Sequence, residues 1–286
     1  MQNRRDFIKS ASVFSAMMAA APTIVSAQGA ARTFKVAMIG SGRRASEAFT
    51  NMAEAAKKMG HAIQLVAAHD FFLEEAKRRC KQFGCDEKFA FGGGDGYFKM
   101  LDVPGIEIVI LGAPPAFRPR HLDACIKAGK HVFAEKPIAV DPQGVRHVLE
   151  SAAAAKAKQL TLVTGTQRRH QGAYMRQALA FQKGQLGTIR GGNIYWCQAR
   201  GSIRPRKEGV TNAQYMCNNW MNWAEMSGDH IVEQHVHNID VANWFIGRYP
   251  RTAMGVGARV RRPTGNQYDF FSVDFDYGEG LHIHSL

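Results

Sequence analysis

The 286-residue chain has none of the cysteine spacings that build a metal cage or a disulfide framework. Its five cysteines (Cys80, Cys85, Cys125, Cys197, Cys217) include no C-x-x-C pair. Only Cys80 and Cys85 stand close enough in sequence to suggest a bridge, while Cys125 and Cys197 lie in apolar patterns that predict core positions. No H-E-x-x-H segment is present, and no metal is expected. Acidic residues are in the minority, 24 against 37 Lys and Arg, for a formal charge of +13. The cations are dispersed, with short clusters at 204–207 and 259–262 and no nucleic-acid-binding motif beside them. That pattern predicts a solvated basic surface, tolerant of acidic glycans, and no nucleic-acid partner. No run is long and apolar enough for a membrane span.

What is present begins with an address. Asn3-Arg4-Arg5-Asp6-Phe7-Ile8-Lys9 precedes a mildly apolar run over 11–25 and the small-residue site Val25-Ser26-Ala27. This resembles a twin-arginine (Tat) export signal over residues 1–27, which predicts a periplasmic or otherwise extracytoplasmic mature protein. That route exports folded proteins, so a cytosolic nucleotide would travel inside its enzyme.

Residues 34–39 read as a short apolar strand feeding Gly40-Ser41-Gly42-Arg43-Arg44-Ala45, which opens an Ala-rich helix to about residue 59. Strand, glycine turn and helix are the context of a dinucleotide-binding fingerprint. Gly40 permits the tight turn, Gly42 lets backbone approach a pyrophosphate, and Ala45 stands where helix and strand pack. Ser41 and Arg43 complete the loop. A second strand, 63–68, leads to Asp70, whose carboxylate suits ribose hydroxyls and repels a 2′-phosphate. NAD is therefore expected ahead of NADP, although Arg43 and Arg44 are placed to favour a phosphate. A helix over 73–83, a glycine-rich turn at 92–96, a strand over 106–111 ending at Pro114-Pro115 and a helix over 121–128 follow. Next comes His131-Val132-Phe133-Ala134-Glu135-Lys136-Pro137, a buried strand delivering charged groups to its carboxyl edge. Alternating strands and helices predict a doubly wound parallel sheet.

The glycine turn, Pro114-Pro115, His121, Ala128-Gly129-Lys130-His131-Val132 and Glu135-Lys136-Pro137 resemble, in order and spacing, the Gfo/Idh/MocA oxidoreductases. The resemblance covers nearly all of the chain after the signal. It implies cofactor contacts at Gly40, Ser41, Gly42, Arg43, Ala45, Asp70, Pro114, Pro115, His121 and Glu135, and a catalytic Lys136. It also implies an α/β fold, a Rossmann domain (28–158) followed by an α+β substrate domain (159–286) with an open, mainly antiparallel sheet. In the second half, Gln167 and Arg169 match a family segment bordering the substrate pocket, whereas Arg168 reads as solvated. Strands over 192–198, 252–261 and 270–277 supply the platform, which the family also uses for homo-oligomers. The last residues stop in what reads as the middle of a strand, so a truncated sheet is expected.

Residues 228–247 match the family pattern Asp-x-x-x-His-x-x-Asp-x-x-x-Trp-x-x-Gly, with Glu233 at the first acidic position, then His237, Asp240, Trp244 and Gly247. On a helix the i, i+4 spacing would let Glu233 orient His237, a candidate general base. His230 and His235 read as surface or interface histidines. Trp220 and Trp223, flanked by amides, suit either a sugar face or core packing.

The leading reading is an NAD-dependent sugar or polyol dehydrogenase with Lys136, His237 and Glu233 catalytic and Lys136, Gln167, Arg169 and His237 against a carbohydrate. Extracytoplasmic NAD is not readily replenished, so a tightly held, recycled nucleotide is expected. That expectation admits an NAD-assisted glycosidase resembling glycoside hydrolase family 109 as a second reading. A non-catalytic nucleotide or sugar sensor is a third.

Overall fold

The computed structural model describes residues 30–199 and 203–286, so the twin-arginine segment lies outside the described residues. At the centre of the first sheet is β1 (Thr33–Ile39), whose last four residues are fully buried. Successive side chains point to opposite faces of a strand. Val36 and Met38 accordingly join one apolar cluster, with Ala45, Ala48 and Phe49 of α1 (Arg43–Lys58). Ala37 and Ile39 join the other.

The chain continues through β2 (Ala62–Asp70), α2 (Leu73–Gln82), β3 (Ala90–Gly92), α3 (Gly96–Leu101) and β4 (Ile108–Leu111). A 3₁₀ turn, Pro115–Phe117, leads into α4 (Arg118–Lys127), then β5 (His131–Ala134), α5 (Pro142–Ala157) and β6 (Leu162–Thr164). The six strands are all parallel in the order β3-β2-β1-β4-β5-β6. The order reverses between β1 and β4, and ligands of such sheets bind in the crevice at that switch point. Residues 160–164, expected in the second domain, instead complete this sheet: β6 pairs with β5 through Val132, Phe133 and Ala134.

Beyond it come α6 (Gly172–Gln182), β7 (Gly191–Ile194), α7 (Asn212–Asn218), α8 (Ala224–Ser227), a π-helical turn (Ile231–His235), α9 (Val236–Ile246), β8 (Thr252–Ala258), β9 (Phe270–Asp276) and β10 (His282–Ser285). The second sheet runs β7-β10-β9-β8, antiparallel except for β7 against β10. Its inner face packs Tyr277, Leu281 and Ile283 against Ala242 of α9. The expected strand 192–198 stops at Ile194, and Cys197 beyond it is exposed rather than a core residue. Cys80 and Cys85 are free thiols, not a bridge. No helix among the described residues is long and apolar enough to cross a membrane.

Candidate active site

The glycine loop is shaped by two different constraints. Gly40 has φ +82°, and a Cβ there would lie 2.1 Å from the Ala113 nitrogen, so only glycine fits between β1 and the end of β4. A Cβ on Gly42 would meet nothing within 4 Å. The space before Gly42 is open, and no side chain caps the N-terminus of α1 behind it. Ala45 is buried, and a Cβ on Gly112 would come within 2.6 Å of its methyl, the close helix–strand approach expected of that position. Asp70 closes the loop: its carboxylate accepts from the Ser41 amide at 2.8 Å and the Phe72 amide at 3.0 Å. Burial pushes the Asp70 carboxyl up from its ordinary value, against the pull of those two amides. Arg79, unremarked in the sequence, donates from Nε to the Ser41 carbonyl at 2.7 Å and braces the loop from below. Open glycine, uncapped helix end and fixed carboxylate together fit a dinucleotide.

His121 does not face this crevice. It is buried in a ring cluster with Tyr97 (4.6 Å) and His69 (6.2 Å), where desolvation pushes its pKa down to about 3. Helix α4 turns it into the core between α3 and β2, so we read it as a packing residue. Pro114 and Pro115 set the turn at the tip of β4, against which α8 packs.

At the carboxyl edge of β5 the charges alternate. Glu135 is buried and accepts from Arg44 of α1 at 2.8 Å. Lys136 Nζ donates to the Glu233 carboxylate at 2.9 Å and also to the Glu233 carbonyl. Between the two acids lies Arg118, fully buried, donating to the carbonyls of Ala113 (2.6 Å) and Pro137. Desolvation brings it down to about 10, with Glu135 and Glu233 opposing that shift. The sequence hides Arg118 in a basic Arg-Pro-Arg helix start that reads as solvated surface. Burial raises the Glu233 carboxyl, and Lys136 acts against that rise.

The expected Glu233–His237 pairing is therefore replaced by Glu233–Lys136. The reason is local. Gly228 (φ +77°) and Asp229 (φ +68°) reverse the chain close to Val140, and the following turn is π-helical, so i, i+4 no longer marks one face. His237, the first-turn residue of α9, stacks on Trp196 instead, at 5.3 Å and 22°. Burial, with Lys136 and Arg168 nearby, pushes its pKa down to about 4. His230 and His235, expected at the surface or an interface, are buried against Phe271, and His235 Nδ1 lies 2.9 Å from the Ser285 hydroxyl. The three side chains His230, Glu233 and His237 thus go to different partners.

Arg169 is also redirected. It grips Asp240 through Nε and Nη2 at 2.8–3.0 Å and lies over Trp244, tying the 167–170 turn to α9. Its neighbour Arg168, expected to be solvated, bonds Asn238 and covers the Trp196 ring at 5.4 Å. Gln167 is exposed at the start of that turn.

Two family models match in succession. Residues 34–164 match the one described as the oxidoreductase family, NAD-binding Rossmann fold, and residues 174–285 match the GFO/IDH/MocA C-terminal domain. The chain belongs to the Gfo/Idh/MocA oxidoreductase family. Among similar proteins, inositol 2-dehydrogenase of Rhizobium meliloti is 24% identical over 211 residues, covering 73% of this chain and 56% of that one. The same enzyme of Pseudomonas syringae is 33% identical over 125 residues, 43% and 35% of the two chains. The chain thus spans about half the length, or less, of these relatives. The fold is shared with the WlbA dehydrogenase of Bordetella pertussis, solved with NADH and UDP-GlcNAcA (TM-score 0.70, 18% identity, 89% of this chain and 69% of that one). It is shared likewise with an aldose-aldose oxidoreductase of Caulobacter crescentus (TM-score 0.69, 19% identity, 89% and 70%). As a member of this family the chain carries an NAD-binding Rossmann domain.

Proposed function

We propose that the protein transfers a hydride between a hydroxyl-bearing carbon of a sugar or polyol and NAD. The observation that carries this reading is the Lys136–Glu233 pair, set at the carboxyl edge of β5 with buried His237 close by. Gly40, Ser41, Gly42, Arg43 and Asp70 would hold the nucleotide, which would supply the hydride acceptor. Lys136 holds the reacting oxygen and stabilises its developing negative charge. Glu233 aims the ammonium through its carboxylate and its carbonyl. His237, neutral well below physiological pH, accepts the hydroxyl proton. Asp70, with both oxygens fixed at the tip of β2, supports NAD over NADP.

The twin-arginine segment supports an extracytoplasmic location and a nucleotide retained through turnover. Exposed Met254 and Val256 on β8 support self-association through the second sheet. The test is mass spectrometry of ligand released from natively exported protein, followed by turnover assays on polyols, aldoses and aryl glycosides. Retained NAD with substrate-dependent reduction is expected, together with a loss of about a hundredfold or more for Lys136→Ala. Chromophore release from aryl glycosides without net NADH would replace this reading with the glycosidase one.

A further inference from the structure

A cleft of about 230 Å³ is lined by Gln198, Ala199, His230, Arg261, Arg262 and Asp269. His230 stands three residues before Glu233, so one wall of the cleft is the turn that holds Lys136. The facing wall, after β8, brings two arginines and one carboxylate.

That carboxylate is already committed. Asp269 accepts from the amides of Val260 (2.7 Å) and Arg261 (2.8 Å), which tethers the loop. The other acid whose field reaches Arg262 is Asp229, and it accepts from the amides of His230 (2.6 Å) and Tyr268 (2.9 Å). Arg262 makes one side-chain bond, from Nη1 to Asn222 Oδ1 at 3.1 Å. Its Nε is buried without a partner, and Asp269 and Asp229 act on the guanidinium through their charge alone. The backbone around it is fixed, because Arg259 donates through Nε and Nη2 to the Arg262 carbonyl at 3.1 and 3.0 Å.

A charged donor left inside a protein without an acceptor is costly and calls for an explanation. Nη1 is used and Nε is shut off by its surroundings, so Nη2 is the part of this guanidinium left to bind a carboxylate oxygen in the cleft. Arg261 adds a second positive charge, and Gln198 an amide.

We propose that this cleft is the subsite for a carboxylate carried by the substrate, so that the substrate class is a sugar acid rather than a neutral polyol. The inference rests on the dehydrogenase reading for the position of the reacting carbon and on Arg262 for the acid. His230, on the wall of the cleft, lies near enough to Lys136 to feel its charge, which links the cleft to the reacting end of the substrate.

The test is calorimetric titration of the full chain, with NAD present, using D-glucuronate, D-galacturonate, glucose, galactose and glucose 6-phosphate. A uronate should bind about tenfold or more tightly than its neutral parent, and Arg262→Gln should remove that preference. Arg262→Lys, which keeps the charge but loses the guanidinium, should retain only part of it. If Arg262→Gln does not fold, the wild-type preference and the lysine variant decide. Equal affinity for glucose and glucuronate, tighter binding of the phosphate, binding of no sugar, or a preference that survives Arg262→Gln each overturns the proposal. Binding is read without turnover. An inactive protein that still selects uronates refutes the dehydrogenase reading alone, and an active one indifferent to the carboxylate refutes the subsite alone.

Discussion

Lys136 and Glu233 lie 97 positions apart in the chain and meet at 2.9 Å, the lysine at the edge of the parallel sheet and the glutamate in the π-helical turn before α9. The pair joins the Rossmann sheet to the helix that carries His237. Both ions are largely desolvated, which offsets their attraction, and the geometry of the pair specifies where the ammonium points.

Glu233→Gln keeps the shape and removes the charge that holds Lys136. Turnover should fall by about ten- to a hundredfold, with nucleotide affinity unchanged. Single-turnover kinetics beside NAD titration separates the two, and a parallel loss of NAD binding would count against the assignment.

Five buried histidines, His69, His121, His230, His235 and His237, all lowered by desolvation, set an acid sensitivity. His237 and His230 are pushed down to about 4 and His121 to about 3, all chiefly by desolvation. Unfolded, each titrates near about 6.5, so below that pH the unfolded chain binds more protons than the fold. Stability from these groups is complete above about pH 6.5 and declines as the pH falls towards the folded values. Asp70 and Glu233, raised by burial, act with the opposite sign nearer the carboxylate range. The Tm measured from about pH 8 down to about pH 5 should be level at first and then drop. A Tm that rises over the acid half of that interval contradicts the burial of these rings.

Trp196 is a positioning residue for His237. With Trp196→Ala the imidazole gains water, its pKa returns towards the ordinary value, and the acidic limb of kcat/KM should move upward in pH. Trp196→Phe, which keeps a stacking ring, should restore most of the profile. A simple loss of packing would lower Tm without moving the limb.

The two loop glycines should respond differently to the same substitution. Gly40→Ala places a methyl 2.1 Å from backbone in a left-handed conformation, and the folded yield or Tm should fall sharply. Gly42→Ala meets no protein atom within 4 Å, so Tm should hold while NAD affinity drops. Equal NAD binding by the Gly42 variant would place the pyrophosphate elsewhere.

Arg169→Met should lower Tm through the lost grip on Asp240 and leave KM for substrate little changed. A KM effect without a Tm effect would restore the substrate role that its position in the chain suggests.

Local signals decided much of this protein before folding is considered. The period of apolar residues in 34–39 and 131–134, the glycine turn before α1 and the spacing of Asp70 are short-range facts, and they specify a parallel sheet with a nucleotide crevice because each depends on only one strand and its turn. Lys136 was legible for the same reason: it stands two residues beyond the end of β5. What the sequence could not decide is which charges find each other. Glu233 pairs with Lys136 rather than His237, Arg169 with Asp240, and Arg118 sits between two acids, because those partners come from elements far apart in the chain and from a π turn that breaks the 3.6-residue periodicity. Burial, a property of the packed whole, then turned the expected surface or interface histidines into neutral interior groups and left the Arg262 Nε without a partner.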